Sequence, residues 1–224
     1  MRIDFHSHVL PGADHGSREL ATSLSQLALA RAAGIGVLVA TPHFYPRKES
    51  VSSFLQRREE CANVLRSAMP GHAPKLLIGA EVQLCRGFEH LEKLPQLCIQ
   101  GTSVLLLELP PVFSTEVFLP TLDALRYAHK LTVVLAHIDR YDPVIINELL
   151  ELGLLAQLNA DGFCHLRTRR RCLSWAQSPS VVALGSDLHG LSEGYRSFER
   201  AEKLLGSALQ PLTERTQALL QPLL

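Results

Sequence analysis

The stretch Gly36-Val37-Leu38-Val39-Ala40-Thr41-Pro42-His43 carries the reading of this chain. Five apolar residues run without interruption, stop at Thr41-Pro42, and are followed at once by a histidine. An unbroken apolar run of this length suits a strand buried on both faces, as in a parallel sheet.

Working outward, the same signature recurs. Strands are expected at residues 2–5, 36–40, 75–80, 103–107, 132–136, 154–158 and 181–184. Between them lie helical stretches at 53–68, 115–129, 143–152, 168–177 and 195–209, with a last one near 212–220. The first helix takes Ser17 as its N-cap, sets Leu20, Leu24 and Leu27 on one face, and stops at Gly34. Seven β-then-α units in 224 residues predict an α/β fold, a distorted (β/α)7 TIM-like barrel, as one domain over 1–224. An open doubly wound sheet is the alternative. No Gly-rich phosphate loop and no G-x-G-x-x-G follows any strand, which counts against it.

Composition narrows the function. The formal charge is zero, so no general attraction to nucleic acid or an anionic membrane is encoded. The local exception is the run Arg167, Arg169, Arg170 and Arg171. No stretch approaches the roughly eighteen apolar residues of a membrane span. The opening Met1-Arg2-Ile3-Asp4-Phe5-His6 has charge where a signal peptide needs an apolar run. Five cysteines without a Cys-x-x-Cys pair fit a reducing cytoplasm, where the chain is expected.

In a parallel α/β barrel, chemistry gathers where the strands end. Strand one ends in His6-Ser7-His8, with His15 in the next loop, and strand two in Thr41-Pro42-His43. Strand three runs into Glu81, strand four into Glu108, strand five into His137 and strand six into Asn159. Strand seven ends in Ser186-Asp187-Leu188-His189. Nine side chains able to bind metal therefore follow six strands: His6, His8, His15, His43, Glu81, Glu108, His137, Asp187 and His189. The remaining histidines, His72, His90, His129 and His165, lie in helices or loops. Singly each has a bland reading: His-x-His is two histidines on one strand face, Glu81 or Glu108 a solvated strand end, Asp187 a helix cap. Collectively they offer donors for two or three divalent ions with positions left for water and substrate. Such ions bring more positive charge than three carboxylates return, which suits an anionic substrate such as a phosphate ester.

These motifs resemble the polymerase-and-histidinol-phosphatase (PHP) family. More narrowly, the opening from Asp4 to Ser17, Gly79-Ala80-Glu81-Val82, Leu107-Glu108-Leu109-Pro110, the segment Ala136 to Tyr141, and Gln157-Leu158-Asn159-Ala160 resemble bacterial CpsB/YwqE-type tyrosine phosphatases. The likeness covers nearly the whole chain. It implies a trinuclear site: one ion held by His6, His8, Glu81 and Asp187, a second reached through Glu81 and completed by Glu108 and His137, a third on His15, His43 and His189. Manganese is the implied metal, with zinc or iron as alternatives. Beside the ions, Asp187 and two phosphate-binding arginines, Arg140 and Arg196, form the implied catalytic set; Arg196 follows a loop longer than is typical. One position departs, since the phosphatase branch carries an aspartate where this chain has His15, while other branches carry histidine there.

The resemblance implies hydrolysis by a metal-bridging hydroxide, and a phosphotyrosine protein partner in the tail of a capsule-regulating bacterial tyrosine kinase. Monomers and ring-forming oligomers both occur in that branch. The arginine run at 167–171 either attracts such a tail or is the solvated face of a helix. Competing readings are a phosphatase of a small ester such as histidinol phosphate, and a metal-binding regulatory protein without catalysis. Cys164 and Arg170 match the Cys-x5-Arg spacing of cysteine-dependent phosphatases, but the intervening residues contain no glycine for the tight loop that chemistry needs. An amidohydrolase favours a lysine at a mid-chain strand end, and none of the seven ends carries one.

Overall fold

The computed structural model describes residues 1–191 and 194–224. Nine strands occur in chain order: β1 Arg2–Ser7, β2 Ile35–Ala40, β3 His43–Phe44, β4 Lys75–Ile78, β5 Glu81–Gln83, β6 Val104–Glu108, β7 Thr132–Leu135, β8 Leu155–Asn159 and β9 Val181–Gly185. All pair in parallel, as β1-β2-β4 and as β3-β5-β6-β7-β8-β9. The nine segments occupy seven strand positions. β3 continues the line of β2 after Pro42, which has no N–H to donate, and β5 continues β4 after Gly79-Ala80. Across the two breaks the strands stay aligned, with Gly79 N–H donating to Ala40 O at 2.8 Å and Glu81 N–H to Pro42 O at 3.1 Å. β9 runs beside β1 through the parallel bridge Ser7–Leu188 and the Asp187 N–H to His6 O bond of 2.8 Å. The sheet thus curls back to its first strand, as the alternation of strands and helices predicts.

Among the described residues seven α-helices cover the sheet: α1 Leu20–Ala32, α2 Val51–Ala68, α3 Thr115–Asp123, α4 Pro143–Glu151, α5 Leu166–Trp175, α6 Arg196–Leu205 and α7 Leu209–Leu220. Two capping serines behave differently. Ser50 accepts the N–H of Ser53 at 3.1 Å and caps α2. Ser17 does not cap α1, correcting the expectation from sequence. It is buried, its hydroxyl is taken by Ser23 Oγ at 2.7 Å and Glu19 O at 3.2 Å, and Glu19 occupies the N-cap without a side-chain bond. The expected helix at 115–129 changes after Asp123 into one wide turn, Ala124–Ala128, beyond Pro120.

Apolar packing separates into two layers. An outer core lies between strands and helices and includes Leu38, Leu105, Leu107, Leu135 and Leu158. A smaller inner core holds Ile3, Phe5, Val37, Val39, Leu77, Leu106, Val134 and Val182, closed from below by Leu220 of α7. α7 is also tied to β9 by Thr216 Oγ1 to Val182 O at 2.7 Å and Arg215 Nε to Val181 O at 2.7 Å. Along the inward face the residues change character with height: Leu106 gives way to Glu108, and Leu155 to Gln157 and Asn159. The strand starts are dry and the strand ends polar, so the site is built at one mouth.

Candidate metal centre

The inward turn at the end of β1 sets the first two ligand candidates. Phe5 belongs to the inner core, yet His6 also points inward, because the β1–β2 register shifts between Asp4 and Ser7. His6 Nε2 stands 3.1 Å from His8 Nε2, and both face Glu81 Oε2 at 3.2 and 3.3 Å and Asp187 Oδ1 at 3.5 and 3.1 Å. His137 Nε2 approaches Glu81 Oε1 at 2.7 Å and Glu108 Oε1 at 3.8 Å. His43 Nδ1 lies 2.9 Å from Glu81 Oε2.

Three groups of donor atoms, each within 4.8 Å of one another, follow from these positions: His6, His8, Glu81 and Asp187; His43, Glu81 and Glu108; and His8, His43 and His189. The first matches the set implied by resemblance. The other two differ in one member each, with His43 in the second group and His8 in the third. His137 and His15 stand alongside rather than outside. His137 stacks on His6 at 5.6 Å between ring centroids, while His15 stacks on His43 at 4.8 Å and His189 at 4.7 Å.

The donor set fits divalent ions. Two imidazole nitrogens face each other beside two carboxylates, an arrangement that hydrogen bonds alone satisfy poorly. His43 Nδ1, Glu81 Oε2, His137 Nδ1 and His189 Nε2 are buried without a hydrogen-bond partner, although the first two lie close together. Imidazole and carboxylate suit zinc, iron and manganese. Electrostatics points the same way. Burial pushes the Glu81 carboxyl up, but the His6 charge, the bond from His137 and the close approach of His43 and His6 outweigh it and hold the group well below the usual range. Burial also raises Asp187, and His6, His8 and Arg140 bring it below its ordinary value. His189 is pushed down to about 4 by burial and by His8, which leaves it neutral and able to donate a lone pair.

A surrounding layer orients these ligand candidates. Asp14 Oδ2 accepts from His8 Nδ1 at 2.7 Å and from the His43 N–H at 3.0 Å. Gln157 Oε1 lies 3.2 Å from His6 Nδ1 and accepts the His137 N–H at 2.8 Å. Asn159 Nδ2 donates to Asp187 Oδ2 at 3.1 Å. Buried Asp4 accepts from Ser186 N–H at 2.8 Å, Ser186 Oγ at 2.6 Å and Tyr195 OH at 2.8 Å, and so fixes the turn before Asp187. Backbone strain collects here too: His137 and Asp187, at φ 32° and 52°, are two of the four non-glycine residues with positive φ among those described.

With this arrangement established, the comparisons with known proteins become informative. A family model for capsular polysaccharide synthesis proteins of the CpsB/CapC type matches residues 2–208. The chain belongs to that family. Among the relatives, the tyrosine-protein phosphatase YwqE of Bacillus subtilis is 25% identical, over 98% of this chain and 91% of that protein. The tyrosine-protein phosphatase CpsB of Streptococcus pneumoniae is 25% identical over 84% of this chain and 83% of its own length. A crystal structure from this YwqE–CpsB pair, described as unique metal-dependent tyrosine phosphatases, superposes with a TM-score of 0.81 at 20% identity, covering 98% of this chain and 94% of its own. An organophosphorus hydrolase from Deinococcus radiodurans matches more loosely, with a TM-score of 0.50 at 12% identity over 98% of this chain and 92% of that one. These likenesses place the family member among TIM-barrel-like folds.

The two expected arginines separate in this family member. Arg140 reaches the mouth, where its Nη2 bonds Asp187 Oδ2. For Arg196 no contact with the donor groups is found among the described residues. It opens α6, is exposed, and lines a depression with Leu29, Ala32 and Ala33 from the last turn and C-cap of α1, at the end of that helix that leads into the start of β2. Cys164 and Arg170 do not form a phosphate loop either. Cys164 Sγ points at Ala160 O at 3.9 Å, and the intervening residues enter α5, on which Arg170 is exposed. In the arginine run, Arg169 bonds Phe163 O and Cys164 O at 2.9 and 3.1 Å, and Arg171 bonds Asp139 O, so two of the four tie loops together.

Asp14, Gln157 and Asp4 were not singled out as site residues from sequence. Asp14 and Asp4 lie within two residues of a histidine in the opening motif, and Gln157 precedes Asn159 on a strand otherwise apolar inside. A polar residue at an inward strand position is the signal that finds them.

Proposed function

We propose that this family member is a metal-dependent phosphomonoesterase of the protein-tyrosine phosphatase type, acting on phosphorylated tyrosines of a bacterial kinase that regulates capsule or exopolysaccharide synthesis. The observation that carries the reading is the convergence of His6, His8, Glu81 and Asp187 beside two further donor groups that share His8, His43 and Glu81. Adjacent sites with shared ligands suit an oxygen-rich anion. Family membership and relatives named as tyrosine phosphatases favour phosphotyrosine over other esters.

Two or three divalent ions, manganese first and zinc or iron as alternatives, would be held by the nine ligand candidates, and when bound they supply Lewis acidity and acidify water. Arg140 steadies Asp187, and its remaining N–H groups supply charge-assisted bonds to phosphoryl oxygens. Tyr141, with its hydroxyl bonded to Leu109 O at 3.2 Å and its ring 5.7 Å from that of His137, braces the same loop. In the hydrolysis a water oxygen bonds phosphorus, the bond from phosphorus to the tyrosyl oxygen breaks, and the phenolate takes its proton from solvent. Phenol, with a pKa near 10, leaves without a dedicated acid. Free cysteines fit a cytoplasmic setting, and no helix among the described residues is long and apolar enough to cross a membrane.

The test is turnover of a phosphotyrosine peptide and of histidinol phosphate side by side, with manganese, zinc or iron added to chelator-treated protein. The peptide is expected to be the better substrate and a chelator to abolish its hydrolysis. Faster hydrolysis of histidinol phosphate would reassign the substrate. Metal occupancy without turnover of any ester would leave a regulatory protein.

A further inference from the structure

A cleft of about 440 Å³ opens beside the donor groups. Its walls come from the three loops that follow the strands bearing His43, Glu81 and Glu108. Arg47 follows His43 by four residues, Arg86 follows β5, and Pro110, Val112, Val117 and Phe118 follow Glu108. Cleft and site share a backbone: Gln83 is paired with Glu108, and Leu84 N–H donates to Glu108 O at 2.8 Å. Tyr45, whose ring stacks on His43 at 5.2 Å, lies between His43 and Arg47 in the chain.

The walls carry two kinds of chemistry. Val112 is 87% exposed and Val117 38%, which gives an apolar strip in water. Arg47 and Arg86 are exposed, and neither has a carboxylate within ion-pair distance among the described residues; Arg47 lies against the Cys85 thiol of the same wall. On a chain of zero net charge, two guanidinium groups without a carboxylate partner beside one apolar strip make a local, directional field.

We propose that this cleft seats the peptide flanking the phosphotyrosine and selects an extended segment with acidic residues beside apolar ones. The proposal rests on the tyrosine-phosphatase reading above. A phosphotyrosine in a protein brings main chain with it, and that chain must leave the mouth along some surface. This surface starts two residues from a ligand candidate and is complementary to carboxylates, which guanidinium groups bind in bidentate fashion.

The experiment compares p-nitrophenyl phosphate, a phosphotyrosine peptide with acidic flanks, and the same peptide with the acids changed to amides. The acidic peptide is expected to exceed the neutral one roughly tenfold in kcat/KM, chiefly through KM, with the gap closing at about 0.5 M salt. The double variant Arg47→Glu/Arg86→Glu should lose that preference while hydrolysing p-nitrophenyl phosphate at the wild-type rate. A variant that keeps the preference, or that loses both activities together, overturns the docking site. Fluorescence anisotropy of the labelled acidic peptide reads binding without turnover. Absence of p-nitrophenyl phosphate hydrolysis would sink the phosphatase reading, whereas equal peptide Kd for wild type and double variant would sink the cleft.

Discussion

Replacing Gln157 with leucine isolates what the layer behind the ligands does. The side chain is fully buried. Its Oε1 accepts the His137 N–H at 2.8 Å and lies 3.2 Å from His6 Nδ1, and its Nε2 donates to Asn159 Oδ1 at 2.9 Å. An amide oxygen only accepts, so His6 carries its proton on Nδ1 and presents the Nε2 lone pair to His8, Glu81 and Asp187. Gln157→Leu keeps the volume and strands two buried donors. At about 1–3 kcal/mol for each unsatisfied group, the metal-free protein loses roughly 2–6 kcal/mol. At about 2–4 °C per kcal/mol for a chain of this size, its melting temperature falls by about 4–24 °C. With His6 free to turn, metal affinity drops about 10- to 100-fold, the usual cost of losing a group that orients a ligand. Gln157→Glu keeps the acceptor and should fall between wild type and leucine in affinity. Thermal melts in chelator and calorimetric titration with Mn²⁺ measure both effects. A leucine variant with wild-type melting temperature and Kd would refute the role assigned to Gln157.

Two further predictions concern room and protons at the same mouth. A Cβ on Gly185 would stand 2.6 Å from His6 Cβ and 2.7 Å from Gln157 Nε2. Gly185→Ala should therefore cost about 1–3 kcal/mol through overpacking and lower the metal content per chain; wild-type melting and wild-type metal content would contradict the close approach. The pH response should invert with metal. In chelator, burial depresses His6 and His8, but the facing carboxylates, joined by Asp14 for His8, raise both above 6.5, so their protonated forms stabilise the fold below that pH. That contribution fades as pH climbs through the raised values, and the metal-free melting temperature should fall from pH 6 toward 9. With Mn²⁺ present the ligands must shed protons to bind, so the melting temperature should rise over the same interval. Parallel slopes in the two series would exclude ions at these histidines.

Much of the site was legible because a parallel strand ends where its loop begins. An apolar run followed by histidine or glutamate, repeated six times, identifies ligand candidates without any knowledge of how strands lie together. The alternation of runs and helical stretches carries the α/β class equally well, since a strand that is apolar on both faces needs cover on both sides. Less was legible where one residue serves two neighbours. Ser17 has the residue type of an N-cap, but a hydroxyl facing Ser23 outcompetes the helix terminus. Arg196 has the residue type of a phosphate ligand, but it opens α6 and lines a depression against α1.

Sequence alone therefore determined the strand and helix rhythm, the residues able to bind metal, and the family likeness, because each depends on local pattern. Tertiary structure decided which donor atoms stand within reach of one another, with His8 and His43 entering groups other than those implied for them. It also placed Asp14, Gln157 and Asn159 behind the ligand candidates, and bonded Arg140 to Asp187 while Arg196 lies against α1. Those outcomes depend on distances of a few ångströms between residues far apart in the chain, 181 positions for His6 and Asp187, and only the curl of the sheet sets such distances.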